Sequence, residues 1–514
     1  MEFEKRDVVI VGGGLAGLST AVFLALNGIK PLVIERNSST SILPKARGQN
    51  PVTMEAMRVA NVAEAIHAAR PPGRPGITSL VSESLTGKVI YDHIAHRPDF
   101  SRLSPERPGM ASQARAEEAL LRRAQELGVE VWFNSHCESL VEREAHVELM
   151  VQRTQAAAPL NMHARYVVAA DGIRGGIAGQ VGINYHGVGH LKSVTAVRFN
   201  ADLSRWSGDN AMTIHYVKNA ALPDGSGILV STDDPHQWVA NFSADSDRTP
   251  ESTKALIRIL LGVPDIEFEI TGDTTYNYAH RISDRMSTKR VFLTGDAAHV
   301  MPPTGGQGGN TAMQDGYYLG WKLAYVIRGL AGSALLDTYD SERRPYAEHV
   351  CTWQAANLAE RRGMKNLATL VGEPIGHASM MFGYVCVEGA LSRRSQDPCP
   401  PSENPFENPE SPTGTPGSRV PCVTLRSHGE EINTRHRLGQ HFELYTCSAE
   451  FASAAGQIAD RILVPQRVTV VDSVEPLKAR PDDAVLVRPD GVIAWRGASV
   501  AELDAAYSQI LALT

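Results

Sequence analysis

The earliest apolar run, DVVIV at Asp7–Val11, is β-branched and shows no polar alternation. Such a run suits a strand buried on both faces of a parallel sheet. GGGLAG follows, then an apolar stretch of helical length to Asn27, with Gly28 where a helix C-terminus favours glycine. KPLVIER, Lys30–Arg36, supplies a second strand, and the three pieces make a βαβ unit of about thirty residues. Glu117–Leu127 mixes charged and apolar positions with a helical period, stops at Gly128 and leads into the strand VEVWF. ARYVVAADG is another strand, ending in Asp171-Gly172. From about His190 to Ile270 the period drops to two, in SVTAVRFNADL, AMTIHYV, SGILVST and QWVANFSA. These runs predict an antiparallel sheet inserted between parts of an α/β domain. RVFLTGDAAH then resumes a strand of the parallel type. A helical region runs from Asn310 to about Arg362, interrupted near Gly329–Ser333. Asp397–Pro421 is crowded with proline, serine and asparagine and reads as a linker or an irregular surface belt. The remainder is a compact α/β segment whose AVLVRPDGVIAWRG places Asp490-Gly491 as a hairpin turn between two apolar strands.

At 514 residues the chain exceeds one ordinary domain. Its net charge of −7, with 21% charged residues, fits a folded globular protein and offers no electrostatic case for nucleic acid or an anionic membrane. Val8–Leu26 is apolar enough to imitate a signal peptide or a membrane span. Three adjacent glycines in its middle and the mixed-charge flank MEFEKRD argue against both, and a cytoplasmic protein is expected. The six cysteines include no CxxC and no zinc spacing with histidine, and no metal site is expected.

Gly12, Gly14 and Gly17 form G-x-G-x-x-G between a strand and a helix. The first permits the tight turn, the second lets a pyrophosphate touch the backbone, and the third lets helix and strand pack closely. The helix N-terminus adds free N–H donors. Glu35, eighteen residues beyond Gly17, ends the second strand, where a carboxylate can accept both hydroxyl protons of an adenosine ribose; Arg36 adjoins it. A second glycine-rich stretch, TGDAAHVMPPTGGQGGN at Thr294–Asn310, follows a later strand. Asp296 there can accept hydrogen bonds from a polyol chain such as ribityl. Bare backbone through Pro303, Gly306, Gly308, Gly309 and Asn310 leaves room for a flat ring, and the helix opening near Asn310 aims N–H groups at it. A flexible surface loop is the plainer reading of the same glycines. His299 reads as structural, since the loop fixes its place.

With VVIVGGGLAGLSTAVFLALNGI, KARGQNPVTMEAMR, SQARAEEALL, ADGIRGG, LTGDAAHVMPPTGGQGGNTAMQDGYYLGWKLA, LLDTYDSERRP and LVRPDGVIAWR in order along nearly its whole length, the chain resembles the class A flavoprotein monooxygenases. This is the para-hydroxybenzoate hydroxylase superfamily, and the resemblance is to its polyketide and anthracycline hydroxylase branch. It implies an α/β protein: a Rossmann-like FAD-binding domain with an inserted antiparallel β-sheet substrate domain and a C-terminal thioredoxin-like domain. The expected division is 1–185 and 281–396 for the FAD-binding domain, 186–280 for the sheet, 397–421 for a linker and 422–514 for the last domain. Without CxxC that domain is expected to serve as scaffold or dimer contact, in a monomer or homodimer.

The resemblance also implies FAD as cofactor, NADH or NADPH as co-substrate, and hydroxylation of a phenolic or polyketide-type secondary metabolite by O2 through a flavin C4a-hydroperoxide. Asp171 and Gly172 match the motif that helps hold FAD and is implicated in NAD(P)H use, Asp296 the ribityl ligand, and Arg47 and Gln113 positions that contact the flavin cofactor. Arg47 also reads as a surface salt bridge and Gln113 as a helix cap. The family follows Asp-Gly with arginine, serine and a second arginine, whereas DGIRGGIAGQ keeps only Arg174, with Gly175 and Ala178 at the other two places. His215, Tyr216, Trp238 and Asn241 lie on the predicted strands of the substrate floor. Tyr216 and Arg361 fall near a tyrosine and an arginine of related hydroxylases and are the catalytic candidates, although interior aromatics often serve packing. A reductase or oxidase on the same scaffold is the alternative, and a flavin-binding protein without turnover a remote one.

Overall fold

A computed structural model of the chain describes residues 4–41, 47–69, 76–95, 98–156, 158–208, 210–244, 248–362 and 375–513. Its first sheet has seven strands. Glu4–Val11 pairs in parallel with Leu32–Ile34 on one side and Leu160–Ala169 on the other. Glu130–Trp132 and Val291–Leu293 extend the parallel part. Val147–Arg153 and Ser135–Glu142 complete it in antiparallel sense. Val8, Val9 and Ile10 are fully buried, as an unalternating apolar run requires.

On this sheet the opening helix, Leu15–Leu26, crosses the loop helix, Gly308–Ile327. A Cβ at Gly316 or Gly320 would come within 2.5 Å of Thr20 N or Phe23 Cβ. Glycine therefore sets the depth of the crossing, which brings the N-termini of both helices to one edge of the sheet.

The second sheet has eight strands, in the order His299–Val300, Glu269–Ser283, Tyr185–Asn200, Gln237–Ser243, Ser226–Ser231, Asn210–Lys218, Gly76–Ser82 and Val89–Asp92. It is wider than the 186–280 stretch expected from sequence, because strands from both flanks join its edges. One face packs on the helix Pro250–Leu261 through Phe199, Leu229, Trp238 and Phe242. The other face looks toward the first sheet across a cavity. Helix Asp337–Arg362 covers one end of that face, where Ala355 and Leu358 meet Val194 and Tyr278.

A third, four-stranded sheet of Gln466–Val470, Phe442–Thr446, Ala484–Val487 and Ile493–Gly497 closes the chain. The 397–421 segment is not a slack linker. Ser418 is fully buried, Gly417 donates to Ile493 O and Val420 to Gly491 O, both within 3.0 Å. The segment thus adds a strapped layer to the third sheet, as a belt rather than a tether.

Two buried ion clusters join this sheet to the first. Arg488 reaches Glu342 and Asp490 at 2.7 Å each, and Lys322 reaches Glu342 at 2.8 Å, all four side chains being fully enclosed. Glu55 holds Arg419 at 2.5 Å and also Arg435. Burial pushes both carboxyls up, but the facing cations outweigh it and hold Glu342 and Glu55 at about 2. Among the described residues no helix is long and apolar enough to cross a membrane.

Candidate active site

The cavity between the first two sheets measures about 2550 Å³. A pocket for one drug-sized ligand spans roughly 300–1,000 Å³, so there is room for an extended cofactor and a second molecule. At one end lies the first glycine turn. Gly12 has φ +112°, and a Cβ there would sit 2.1 Å from Ala170 O; one on Gly17 would sit 1.9 Å from Gly12 O. Those two glycines are demanded by the fold itself. Gly14 differs: as N-cap of the opening helix it has φ −86°, and a Cβ would meet nothing nearer than Glu117 Oε1 at 3.7 Å. The space beside it is cavity. Glu35 Oε2 accepts the Gly13 N–H at 2.7 Å, and Oε1 accepts from Asn37 N at 2.8 Å. Asn37 Nδ2 donates to the same Oε1 at 2.6 Å; with about two acceptor sites on each carboxylate oxygen, Oε2 is the one that keeps capacity toward the cavity.

Further along the wall, Asp296 is exposed in a turn that follows the strand Val291–Leu293. The turn is braced from beneath. Asp315 accepts the Gly295 N–H at 2.9 Å and bonds His299 Nε2 at 2.7 Å, while Arg343 donates to its other oxygen at 2.8 and 3.0 Å. His299 is only 1% exposed and is committed to this brace. In the loop helix, the Thr311 N–H makes the first intrahelical bond, to Gln307 O at 2.8 Å. The N–H groups of Gly308, Gly309 and Asn310 precede it and form the helix's open end. The Asn310 side chain is occupied with structure: it accepts the Asn50 N–H at 2.8 Å and donates to Gly306 O at 2.8 Å.

Arg47 and Gln113 also line the cavity. Arg47 pairs with Asp233 on the facing sheet, so it bridges the two walls rather than the outer surface. Burial draws its pKa down, against the opposing pull of Asp233. Gln113 is not a cap; Ser112 caps its helix by accepting from Arg115 N, and Gln113 Nε2 donates to Glu117 Oε1 at 2.7 Å.

The second sheet supplies the opposite wall, and its pleat sorts the predicted substrate residues. One row across the strands runs Thr274, Ala196, Asn241, Ile228, Tyr216 and Val81, all facing the cavity. His215 and Trp238 belong to the other face. His215 hydrogen-bonds Ser82 Oγ through Nδ1 at 3.0 Å, and burial pushes it down to about 4, so it is a neutral interior imidazole. Trp238 packs in the core beneath the sheet. Successive strand residues point to opposite faces, so His215 and Tyr216 cannot share a wall, nor can Trp238 and Asn241. The assignment of His215 and Trp238 to substrate is corrected accordingly. Replacing Trp238 by phenylalanine should cost about 1–2 kcal/mol of stability, the lost volume in a buried cluster, with no hydrogen bond added to the cost because its buried Nε1 has no partner among the described residues. The spectral change produced by a bound substrate should be that of the wild type; a lost change would put the indole at the site.

The comparisons with known proteins agree with this geometry. The FAD binding domain family matches residues 5–354, and the aromatic-ring hydroxylase C-terminal family matches 413–512. Aklavinone 12-hydroxylase RdmE of Streptomyces purpurascens is 34% identical over 96% of both chains. A putative polyketide hydroxylase of Streptomyces halstedii is 35% identical over 96% of this chain and 93% of its own. A crystal structure of a ternary complex of aklavinone-11 hydroxylase with FAD and aklavinone superposes with a TM-score of 0.91 at 31% identity, each chain covered in full.

The chain is a class A flavoprotein monooxygenase.

It belongs to the polyketide hydroxylase branch, and its cofactor is FAD. These relatives support hydroxylation over the reductase, oxidase and binding-protein alternatives. The cradle fits the group: Gly14 leaves open space, Gly306 has φ +68° with nothing within 4 Å of a would-be Cβ, and Asp296 faces the cavity between them. The stretch after Asp171-Gly172 has no room for a side chain at Gly175. A Cβ at Gly175 would fall 2.0 Å from the Asp171 carboxylate, which folds over this residue and accepts the Ile177 N–H at 3.1 Å. Burial raises the Asp171 pKa, partly offset by that bond. Tyr276 was missed in the sequence; its hydroxyl donates to Asn241 Oδ1 at 2.9 Å on the cavity wall. Its strand, Glu269–Ser283, extends well past the Ile270 limit of the alternating pattern. Arg361 lies on the described helix, but its side chain falls outside the described residues.

Proposed function

We propose that this monooxygenase hydroxylates a phenolic, polycyclic polyketide-type substrate, using O2 and NADH or NADPH, with the substrate lying on the wall formed by Tyr216, Asn241 and Tyr276. The observation that carries the reading is the single cavity, which joins that wall to the glycine turns and Asp296. When bound, FAD supplies hydride uptake from the nicotinamide and the activation of oxygen.

Gly12, Gly14 and Gly17, with the open N-terminus of their helix, hold its pyrophosphate, and Arg36 lies beside them on the cavity wall. Glu35 takes the adenosine ribose. Asp171 and Gly172 line the middle of the same trough. Asp296 takes the ribityl hydroxyls, while Pro303, Gly306 and the N–H groups of Gly308, Gly309 and Asn310 line the ring. Arg47 and Gln113 close the cofactor from the side of the facing sheet. This assigns 1–185 and 281–396 to the cofactor, 186–280 with its added edge strands to the substrate, and 422–514 to a thioredoxin-like module without a dithiol.

The chain's own contribution to chemistry is placement and the exclusion of water. Tyr216 faces the cavity with its ring 5.8 Å from that of His93, edge to face. It polarises the substrate hydroxyl. The Asn241 amide, with its oxygen engaged by Tyr276, presents its NH2 to a substrate oxygen. Replacing Asn241 by leucine should raise KM about tenfold with a smaller change in kcat, the loss of one hydrogen bond in the ground state and transition state alike. Steady-state NAD(P)H consumption checks it, and an unchanged KM removes Asn241 from the wall. The activity itself is tested by incubating holoenzyme with NADH or NADPH, air and candidate phenols. Substrate-stimulated consumption and a product heavier by one oxygen atom are expected. Consumption yielding only peroxide, for every phenol tried, would count against the reading.

A further inference from the structure

We propose that Arg198 recognises a carboxylate carried by the aromatic substrate. This rests on the hydroxylase reading only for the aromatic character of the ligand.

Arg198 lies on Tyr185–Asn200 and contributes to the cavity wall, half-buried. Its row across the sheet runs through the apolar Val239, Val230 and Ile214 and ends at Ser79 on the next strand. On the other side it faces Gly272, which has φ +153°. A Cβ at Gly272 would stand 3.0 Å from the guanidinium Nη2. The glycine therefore leaves the shelf on which the guanidinium rests, and the strand register shifts beside it, between Arg198 and Phe199.

Two other arginines that line the cavity are paired. Arg47 and Arg115 both engage Asp233. Arg198 has no hydrogen bond or ion pair with any described residue. The acids on the neighbouring strand, Asp273 and Glu269, oppose Val197 and Asn200 in register rather than Arg198. A guanidinium offers five N–H donors, and those of Arg198, on the cavity wall beside apolar side chains, are claimed by no described residue. The missing acceptor comes with the ligand. A planar fork suits a carboxylate in two-point contact, and the apolar surroundings strengthen that bond. The row lies two residues along the strands from the Tyr216–Asn241 row, about 7 Å away. A fused-ring substrate anchored by its hydroxyl at Asn241 reaches that far with a carboxylate on a neighbouring ring.

The test uses FAD-loaded wild type, Arg198→Met and Arg198→Lys, and two anthraquinones sharing one dihydroxylated core: rhein, with a carboxylate, and aloe-emodin, with a hydroxymethyl group in its place. Dissociation constants are read from the flavin absorbance change at low and high salt. The wild type should bind rhein at least about tenfold more tightly than aloe-emodin, the scale of a charge-assisted hydrogen bond. Arg198→Met should abolish that preference while changing aloe-emodin binding by less than about twofold, and Arg198→Lys should retain part of it. Absence of a preference in the wild type, or a preference that survives Arg198→Met, overturns the proposal, as does equal weakening of both probes. If Arg198→Met fails to retain flavin, the wild type and Arg198→Lys decide: a rhein preference indifferent to salt, or undiminished by lysine, also overturns it. Binding needs no turnover, so a failure of hydroxylation is read separately from a failure of charge recognition.

Discussion

Gly14→Val should purify as a folded, colourless protein. The reason lies in the contrast among three glycines of one motif. Side chains at Gly12 and Gly17 collide with backbone oxygens at 2.1 and 1.9 Å, so their substitution damages strand and helix before any ligand is considered. At Gly14 the backbone is ordinary for an L-residue and the nearest protein atom is 3.7 Å away. Two methyl groups there enter the cavity and occupy the place the pyrophosphate needs beside the helix N-terminus. The expected outcome is a loss of FAD affinity of more than about a hundredfold, because the steric block also removes charge-assisted bonds from the turn. The melting temperature should match that of wild-type apoprotein. Gly17→Ala should instead lower the stability of apoprotein and holoprotein together. Flavin absorbance after gel filtration, paired with thermal melts of apo samples, separates the two. A Gly14→Val protein that retains full yellow colour would displace the cofactor from this turn.

Arg488→Leu should destabilise the protein by about 3–5 kcal/mol at neutral pH, the usual consequence of leaving one side of a buried ion pair unmatched. Two carboxylates lose their partner at once, Glu342 and Asp490, while Lys322 remains for the first. Urea unfolding followed by tryptophan fluorescence is well placed to report it, since Trp321 Nε1 donates to Asp490 at 2.8 Å. The pH dependence has a fixed sign. Glu342 is held at about 2 in the folded chain, below the roughly 4.3 of an unfolded glutamate. Its contribution is therefore complete above pH 5 and lost as pH falls toward 2. The variant should show a smaller loss across that window. A change below about 1 kcal/mol, or an acid limb parallel to that of wild type, would show that the cluster contributes little to holding the sheets together.

How far the sequence spoke depends on what each stretch has to bury. The parallel strands and the first glycine turn are legible because Val8–Val11 is enclosed on both faces and the motif's spacing follows from backbone contact. Alternation was clear in Gln237–Ser243, where Trp238, Ala240 and Phe242 fill a core. It was absent from much of Glu269–Ser283, where Thr274 and Tyr276 look into the cavity and Thr275 and Asn277 are also exposed. With no dry face to fill, that strand carries no period-two signal, and Tyr276 went unnoticed with it. The substrate wall was harder still. Its strands could be placed, but choosing a face requires knowing which side meets Pro250–Leu261, and this is a tertiary fact. His215 and Trp238 lie on the face turned away from the cavity, Tyr216 and Asn241 on the face that lines it. For the proline-rich stretch composition left linker and belt open: its backbone partners come from residues 383–386 just before it and from the hairpin at Asp490-Gly491, far along the chain.

The charge clusters between the first and third sheets bear on how such enzymes can be recombined. Glu55, Lys322 and Glu342 are contributed by one portion of the chain, and Arg419, Arg435, Arg488 and Asp490 by the other. A graft of the terminal portion from a homologue inherits half of each circuit. Chimaeras that keep those seven positions matched should accept the exchange, whereas those that mismatch a single sign bury a lone charge at the suture.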